Sequence, residues 1–447
     1  MKRILSESFG GYAARVARVA AVLALAASAG CVSEAGRSPN ADSAAPAAVS
    51  SNAADGVRRL QVSADGAEPG VAAAPDGSVY VAWVAHRPGK RADVWLSRFD
   101  GEGRQAGAPA RVNPTEGEAT AWRGDPPDVA VAPDGAVYVA WTARASEGAH
   151  ATTLYLSASR DGGRSFDAPA RVNDDAGVGE HGMHSLAAAR DGRVYLAWLD
   201  ERNAAPPAES QPGGQSSAPK GSGGMHGERN REVFFAASAD GGRTFSGNRS
   251  VAKEACPCCK TALAVGADGR VYVGWRQVLP GDFRHIAVAA SADGGESFNA
   301  PVVVSDDRWE LSGCPVSGPA LAAGEGGSLR VVWYTAGEAG RPGLYGSDSA
   351  DGGRTFAPRR AVREGDLRGT PALLADGRGR LVTVFQGADA SGANGLWLAG
   401  ATADGPPATL LASGETAAAA SQNGRLYVAY VSQGGVWLAL PPATPAA

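Results

Sequence analysis

Short alternating runs of β-branched, small and aromatic residues, each closing on an aromatic side chain, recur along this chain. They read VYVAW, VYLAW, VYVGW or close variants, and they end at Trp83, Trp141, Trp198, Trp275, Trp333, Phe385 and Tyr430. Alternation of this kind, with β-branched and aromatic residues, is typical of β-strands. Successive runs are 58, 57, 77, 58, 52 and 45 residues apart, which leaves room for four short strands per repeat. Seven copies at this period predict a β-propeller.

A second run, rich in Ala, Val and Leu, precedes most of the aromatic runs, and a Pro-Asp-Gly or Asp-Gly turn joins the two. The last repeat, Glu415 to Leu440, has only three strands, whereas Arg58 to Ser63 resembles the outermost strands of other repeats. We therefore predict an all-β fold, a seven-bladed propeller of four-stranded antiparallel blades. Its N-terminal strand would close the last blade and protect the sheet edges.

Composition fits a repeat protein and excludes one class of partner. The 447 residues include 61 Gly and 28 Pro, which favours many turns over long helices. The formal net charge is -4, and Lys and Arg are scattered instead of clustered. We therefore expect no nucleic-acid ligand, and we expect a monomer.

The N-terminus has the features of an export signal. Basic residues precede an apolar run, Val19 to Ala29, that is too short to span a bilayer. The segment Ser28-Ala29-Gly30-Cys31 resembles a bacterial lipobox, which implies cleavage before Cys31 and acylation of its thiol. The alternative is an ordinary secretory signal that contains a cysteine. Lipidation would place the protein in the cell envelope, on the periplasmic side or the cell surface, with the anchor as its only membrane contact.

These features divide the chain into four parts. They are a lipoprotein signal peptide (1–31), a flexible tether rich in Ala, Ser and Pro (32–57), the propeller (58–440) and a C-terminal tail (441–447).

Four turns share the pattern S-x-D-G-G-x-[ST]-F, and they run from Ser159 to Phe166, Ser238 to Phe245, Ser291 to Phe298 and Ser349 to Phe356. The Asp would accept backbone N–H groups within the turn, the glycines would take positive φ, and the Phe would pack between sheets. The pattern resembles the Asp-boxes, or BNR repeats, of the sialidase-like propeller superfamily. In sialidases such turns lie on the face opposite the active site, so they indicate fold and not catalysis.

The resemblance to sialidases implies a six-bladed propeller as the alternative fold and exo-α-sialidase activity as the alternative function. Those enzymes clamp the sialic acid carboxylate with three arginines and use a Tyr–Glu nucleophile pair and an Asp acid/base. The Arg-Ile-Pro motif that usually carries their first arginine is missing here, and seven aromatic strands are counted. Both departures favour a binding module over a hydrolase.

Propeller geometry brings two sets of loops together, those that precede each first strand and those that follow each second strand. Residues expected there for ligand binding are Arg144, Arg202, Arg276, Arg368 and Asp125, because guanidinium groups bind carboxylate or phosphate bidentately. The alternative is that these arginines form ion pairs with neighbouring acids. Asp200 or Glu201 as general acid and Tyr334 as nucleophile would supply glycosidase chemistry.

Four cysteines remain after Cys31, namely Cys256, Cys258, Cys259 and Cys314. Two Cys-Pro pairs, at Cys256 and Cys314, are 58 residues apart, like the strands that follow them, so they occupy equivalent loops of adjacent blades. In an exported protein an even number of cysteines predicts two disulfides, with Cys314 joined to one CPCC cysteine. The alternatives are free thiols or a soft metal ion, Cu(I) or zinc, with His181 and His184 as further ligands.

Two segments, CPCC and the SDDRWELSGCP that ends at Pro315, resemble a subgroup of bacterial proteins described as sialidase-like. This resemblance implies no defined activity. From the sequence we predict an exported, lipid-anchored propeller that binds a glycan, peptide or protein partner and needs no cofactor. The alternatives are an exo-α-sialidase and a periplasmic copper- or zinc-site protein.

Overall fold

β-Strands form nearly all of the regular structure, as the alternating sequence pattern predicts. The structure is a computed structural model, and it describes residues 49–51, 56–88, 91–120, 125–144, 151–176, 179–204, 230–337, 340–388, 392, 394–401 and 407–443. These residues belong to one unit, Ala44–Ala447. They form thirty strands and one 3-10 turn, Glu325–Gly327, which confirms the all-β prediction.

The strands are short, as is usual for sheets with tight turns. The first eleven are β1 (Val49–Ser51), β2 (Arg58–Ser63), β3 (Ala67–Ala73), β4 (Val79–Arg87), β5 (Arg91–Phe99), β6 (Ala110–Arg111), β7 (Ala119–Thr120), β8 (Asp128–Val131), β9 (Val137–Arg144), β10 (Thr152–Ser159) and β11 (Ala170–Arg171). The next eight are β12 (His181–Ala188), β13 (Val194–Asp200), β14 (Arg231–Ser238), β15 (Arg249–Ala255), β16 (Ala262–Val265), β17 (Val271–Leu279), β18 (Phe283–Ser291) and β19 (Val302–Val303). The last eleven are β20 (Ala320–Ala323), β21 (Leu329–Thr335), β22 (Gly343–Ser349), β23 (Arg360–Glu364), β24 (Leu367–Ala375), β25 (Leu381–Ala388), β26 (Asn394–Gly400), β27 (Thr409–Ser413), β28 (Glu415–Gln422), β29 (Arg425–Ser432) and β30 (Gly435–Leu440).

Antiparallel pairing assembles the described strands into successive groups of four. Six groups follow chain order, and they are β3–β6, β8–β11, β12–β15, β16–β19, β20–β23 and β24–β27. A seventh consists of β28, β29, β30 and β2. The short strand β7 links the first two groups, and a single pair, Ala255 with Gln277, links the third and fourth. Every aromatic run of the sequence is the second strand of its group, which confirms those seven strand predictions.

The first strands of the groups contact one another in a closed cycle. β3 contacts β8, and the contacts continue through β12, β16, β20, β24 and β28 back to β3. Each of these strands consists mostly of small or aliphatic residues, which allows close approach of neighbouring backbones. Gly70 shows how tight this is, because a Cβ there would lie 2.1 Å from the Pro127 carbonyl oxygen of the next group. The curled, cyclic arrangement is consistent with a sialidase-like propeller.

The N-terminal strand joins the last group, as the sequence predicts. Leu60 of β2 pairs with Leu438 of β30, and the pairing continues toward both ends of the two strands. Within the segment predicted as a tether, Val49–Ser51 pairs with β2 as an additional strand, with Ser50 opposite Arg59. The unpaired backbone groups along the outer edge of β2 provide a template for this addition. The signal peptide and Cys31 lie outside the described residues.

Hydrophobic clusters fill the spaces between consecutive groups. The aromatic residues that close the second strands are buried there, and Trp141, Trp198, Trp275 and Trp333 are each at most 1% exposed. Each of these indole N–H groups has an acceptor, which a buried tryptophan requires. Those acceptors are, in order, Ser157 Oγ, Asp200 Oδ2, Gln277 Oε1 and Asp307 Oδ2.

The four S-x-D turns form the contacts that the sequence predicts. In the first of them, Asp161 Oδ1 accepts the backbone N–H groups of Arg164 and Ser165 at 3.0 Å each. Gly162 and Gly163 have φ of 75° and 82°. The closing aromatic, Phe166, packs against the cluster between the first two groups. These turns follow the third strands, so they lie at the end of the groups opposite to the candidate site described next.

Candidate functional site

The first strands begin, and the second strands end, at a common end of the groups, which we call the proximal end. Contacts between equivalent positions show that the first strands run side by side in one direction. Ser185 Oγ at the start of β12 lies 2.9 Å from Thr261 Oγ1, just before β16. In the same way, the Gly318 N–H before β20 donates to Thr370 Oγ1 of β24 at 3.0 Å. Most of the predicted site residues lie at this end.

An acid–histidine cluster forms where β12 begins and β13 ends, since His181 and Asp200 are paired across these strands. His181 Nδ1 lies 2.6 Å from the Thr152 carbonyl oxygen, and a carbonyl only accepts, so Nδ1 carries a proton. His181 Nε2 lies 3.1 Å from Asp175 Oδ1 and 3.4 Å from Asp200 Oδ2. The buried ring of His181 therefore lies between the two carboxylates, with its Nδ1 side fixed by the Thr152 carbonyl.

Arg202 completes the acid–histidine cluster and neutralises its acids. Its Nη2 donates to Asp200 Oδ2 at 2.8 Å, and its Nη1 donates to Asp174 Oδ1 at 2.6 Å. The guanidinium also stacks over the Phe234 ring at 4.2 Å. Arg202 is thus occupied by carboxylates of the chain itself, as the ion-pair alternative predicts.

Glu201 points into a separate ion-pair network beside this cluster. Its Oε1 accepts Arg231 Nε at 2.9 Å, and its Oε2 accepts the backbone N–H of Glu180 at 3.1 Å. Arg231 also contacts the Glu180 carboxylate at 2.5 Å. These contacts bridge the start of β12, the end of β13 and the start of β14, so Glu201 holds three strands together.

Asp125 and His184 form a second buried pair, between the second and third groups. His184 Nδ1 lies 3.0 Å from Asp125 Oδ1, and His184 Nε2 lies 3.2 Å from the Ala140 carbonyl oxygen. Burial would raise the pKa of Asp125, but the charge and hydrogen bond of His184 outweigh it and lower that pKa. Gly182 permits this approach, because a Cβ there would lie 2.7 Å from Asp125 Oδ2.

Arg276 lies at the end of β17 and is fully buried. Its Nε donates to the Ser317 carbonyl oxygen at 2.9 Å, and its Nη2 donates to the Tyr334 carbonyl oxygen at 2.8 Å. The guanidinium also lies 4.9 Å from the centre of the Trp309 ring. With no exposed surface and two backbone acceptors, Arg276 is not available to clamp a ligand carboxylate.

Tyr334 has an acidic neighbour that the sequence did not reveal. Its hydroxyl lies 3.3 Å from Asp366 Oδ1. Desolvation of the phenol, followed by the charge of Asp366, raises the pKa of Tyr334 to about 12. A phenol with this pKa stays protonated at neutral pH, which works against its use as a nucleophile.

The structure does not bring the predicted catalytic residues together. Asp200 belongs to the third group and Tyr334 to the fifth, and their contacts among the described residues are with different partners. Asp200 is buried, and its two oxygens accept hydrogen bonds from Trp198 and Arg202, so no oxygen of it is directed at a ligand. The remaining predicted arginines, Arg144 of β9 and Arg368 of β24, are exposed at the proximal end.

The four cysteines form one buried cluster, which we call the cysteine cluster. Cys258 and Cys314 are joined by a disulfide, with their Cα atoms 6.2 Å apart, which confirms the prediction that Cys314 pairs with a CPCC cysteine. The expected second bridge is absent from this structure, because Cys256 and Cys259 are thiols. Their sulfur atoms lie 3.4 Å apart.

The histidines are not ligands of this cluster. Among the described residues, the group of side chains close enough to hold a metal jointly consists of Cys256, Cys258 and Cys314. His181 and His184 instead face carboxylates and backbone carbonyls. The intervening Met183 does pack in the hydrophobic cluster that contains the cysteines.

Several residues that build the site gave no signal in the sequence. Asp175 and Thr152 hold His181, Asp366 holds Tyr334, and Trp309 covers Arg276. Trp309 lies in the SDDRWELSGCP segment, so the distinctive composition of that segment was the one available indication. Asp175 and Asp366 lie in loops without a recognisable motif, and Thr152 is the first residue of β10.

The antiparallel sheets and the closed cycle of their first strands define the class of the protein as a β-propeller. Comparison with solved structures finds the BP39L lectin from Burkholderia pseudomallei with 14% identity and a TM-score of 0.52, over 83% of this chain and 98% of the lectin. A Dyadobacter fermentans protein of unknown function matches with 15% identity and a TM-score of 0.48, over 86% of this chain and 98% of the other. The Hadza microbial sialidase Hz136 matches with 14% identity and a TM-score of 0.48, over 79% of this chain and 74% of the sialidase.

At these identities the likeness concerns the fold alone. No protein-family model matches the chain. No curated protein matches it either. Within the described part of the chain, no helix has the length and apolar character needed to span a membrane.

Proposed function

We propose that this chain is an exported, lipid-anchored, seven-bladed propeller that binds a glycan at its proximal end and does not hydrolyse it. The seven groups of strands and the closed cycle of their first strands support seven blades over the six-bladed alternative. Export and lipidation rest on the basic, apolar and Cys31-containing N-terminal sequence.

One observation carries the choice of binding over hydrolysis, namely that two of the arginines proposed for a carboxylate clamp are already engaged by groups of the chain itself. Arg202 is neutralised by Asp200 and Asp174, and Arg276 is buried against backbone carbonyls. A ligand carboxylate would have to displace these contacts, and leaving a buried charge unpaired costs several kcal/mol, on the order of 3 to 5. Tyr334, with its raised pKa, lacks the ionisation that a nucleophile needs.

A glycan is the ligand class that the exposed groups at this end suit best. His86 of β4 is half exposed and lies 2.8 Å from Glu68 Oε2, while Asp366 and Arg368 are exposed beside the start of β24. Sugar hydroxyls both donate and accept hydrogen bonds, so they match such a mixture of donors and acceptors. The BP39L lectin, which has a similar fold, is a carbohydrate-binding protein by its name, and this supports a glycan as the ligand class.

The test is a glycan array probed with the purified full chain, followed by calorimetry on each ligand found. We expect R368A and H86A to weaken binding by about tenfold, the loss of one to two net hydrogen bonds. R354A is the matched control, because Arg354 is an exposed arginine in an S-x-D turn at the opposite end. Binding that R354A reduces and R368A does not would place the site elsewhere.

A glycosidase panel decides the alternative. The proposal expects no release of a fluorogenic aglycone from sialosides or other glycosides. Release that is lost in both Y334F and D200N would overturn the proposal in favour of an exo-sialidase. Binding of a peptide or protein, with no glycan bound, would retain the binding module but change its ligand class.

A further inference from the structure

The cysteine cluster combines a closed disulfide with an adjacent dithiol. Cys256 Sγ lies between the two, 3.4 Å from Cys259 Sγ and 3.8 Å from Cys258 Sγ of the bridge. The sulfur atoms of Cys256, Cys258 and Cys314 all lie within 4.8 Å of one another. Sulfur atoms at these distances need only small shifts to exchange bonds, because a disulfide places its two sulfurs about 2 Å apart.

The charges of two buried arginines, Arg284 and Arg276, act on Cys256, and that of Arg276 also acts on Cys259. Arg276 and Arg284 are 0% and 2% exposed, and the Nη1 atom of each is buried with no hydrogen-bond partner among the described residues. Positive charge beside a thiol stabilises the thiolate, which is the reactive form in disulfide exchange. A buried guanidinium charge is costly unless a negative group compensates it. Arg284 has the Asp282 carboxylate at 3.8 Å, and for Arg276 a thiolate would be such a group.

The ionisation of the pair agrees with this arrangement. Burial opposes a thiolate at Cys259, but its hydrogen bond with Cys256 and the charge of Arg276 prevail and lower the pKa of Cys259 to about 7. The hydrogen bond with Cys259, and then burial, raise the pKa of Cys256. Cys259 is therefore the sulfur that loses its proton more readily, and Cys256 the one that keeps it.

We propose that the four cysteines form a two-electron thiol–disulfide relay, in which the disulfide passes between Cys258–Cys314 and Cys256–Cys259. This activity does not depend on glycan binding. The motif Cys256-Pro-Cys-Cys259 contains a Cys-x-x-Cys pair, the spacing that also occurs in disulfide oxidoreductases.

The exchange balances without any added reagent. Cys256 gives its proton to Cys259 and attacks Cys258 Sγ, which forms the Cys256–Cys258 bond and breaks the bond to Cys314. The electron pair goes to Cys314, which takes up the proton from Cys259. The Cys259 thiolate then attacks Cys256 Sγ, and the electron pair of the broken Cys256–Cys258 bond remains on Cys258. One thiol, one thiolate and one disulfide are present before and after.

Cys314 is the contact between the relay and its surroundings. It is partly exposed, whereas the other three cysteines are at most 1% exposed. When the bridge moves to Cys256–Cys259, Cys314 becomes a thiol that an external disulfide can oxidise through a mixed disulfide. The chemical class of the partner is therefore a thiol or disulfide on a small molecule or an exposed protein segment.

Disulfide mapping on the wild-type chain tests the relay without relying on a variant that folds. Protein equilibrated in dithiothreitol redox buffers is quenched in acid, alkylated and digested with trypsin, which cuts after Lys253 and Lys260. The Cys258–Cys314 isomer gives peptide 254–260 crosslinked to the Cys314 peptide. The Cys256–Cys259 isomer gives peptide 254–260 with an internal bridge and one alkylated cysteine.

We expect protein with one disulfide and two free thiols to yield both isomers. Protein isolated as one isomer should convert to the same mixture of the two. C256S should yield only the crosslinked peptide, because the relay has lost its central sulfur. Only the crosslinked peptide in wild-type protein, under every redox buffer, would overturn the proposal. Stoichiometric copper or zinc with no bridge at all would overturn it as well, in favour of a metal site.

Discussion

Arg276 Nη2 donates a hydrogen bond of 2.8 Å to the carbonyl oxygen of Tyr334, and this contact joins two neighbouring groups of strands. Arg276 directly follows the aromatic run of the fourth group, and Tyr334 directly follows that of the fifth. A second hydrogen bond, from Arg276 Nε to Ser317, joins the same two groups. Arg276 is therefore a structural crosslink between groups, in addition to its place beside the cysteine cluster.

Replacing Arg276 with methionine should destabilise the protein by about 3 kcal/mol. Methionine keeps much of the side-chain length but leaves the buried carbonyls of Ser317 and Tyr334 without a donor, and hydrogen bonds from charged groups contribute about 1.5 to 3 kcal/mol each. Urea unfolding of R276M and wild type measures the difference. R354M, at an exposed arginine, should lie within about 0.5 kcal/mol of wild type. A change in R276M no larger than that of the control would contradict the crosslinking role.

The fold could be read from the sequence because its signals are local. The alternation that ends at Trp141 or Trp275 is a property of one strand, and the S-x-D turn at Asp161 is closed by residues four positions apart. Repetition of the run at spacings of 45 to 77 residues then predicted the succession of the strand groups.

The candidate site could not be read in this way, because its contacts join different groups. The sequence places Arg202 and Asp200 at the proximal end but does not show that they neutralise each other, nor that Asp175 reaches His181. Backbone irregularities add to the difficulty. The first strands shift register beside Glu68 and Met183, whose φ values of 46° and 52° are unusual for residues other than glycine.

The disulfide between Cys258 and Cys314 should stabilise the protein by about 4 kcal/mol, the chain-entropy estimate for a closed loop of its size. The two cysteines are 56 residues apart, so the bridge closes a loop that contains most of the fourth group. We expect C314A to lower the free energy of unfolding by up to that amount in denaturant titrations. The matched variant C259A removes a buried thiol but no bridge, and it should lose about 2 kcal/mol less. Equal losses would indicate that the bridge does not constrain the unfolded chain.

The aspartates of the S-x-D turns should make the protein sensitive to acid. The side-chain hydroxyl of Thr244, followed by its backbone N–H, lowers the pKa of Asp240 below its ordinary range, and the other three turns repeat this arrangement. A lowered pKa in the folded state means that the stabilisation is present above the unfolded pKa of about 4 and is lost as the pH falls through the folded pKa.

This sign can be checked with D240A. The difference in unfolding free energy between wild type and D240A should be constant near neutral pH and shrink as the pH falls below about 4. E325A, at an exposed acid outside these turns, should give no such pH-dependent difference. A difference that stays constant or grows in acid would refute the assignment.

Cys31 decides where the protein resides. If its thiol is acylated, the wild-type chain expressed in a bacterium will incorporate labelled palmitate. On phase separation with a non-ionic detergent, it will also partition into the detergent-rich phase. C31S should do neither, because loss of the acyl chains removes about 0.8 kcal/mol of membrane affinity for each buried methylene group. C314S is the matched control, since it removes a cysteine of the propeller and leaves the lipobox-like segment intact. Equal partitioning of wild type and C31S into the aqueous phase, with both proteins exported, would identify an ordinary secretory signal instead.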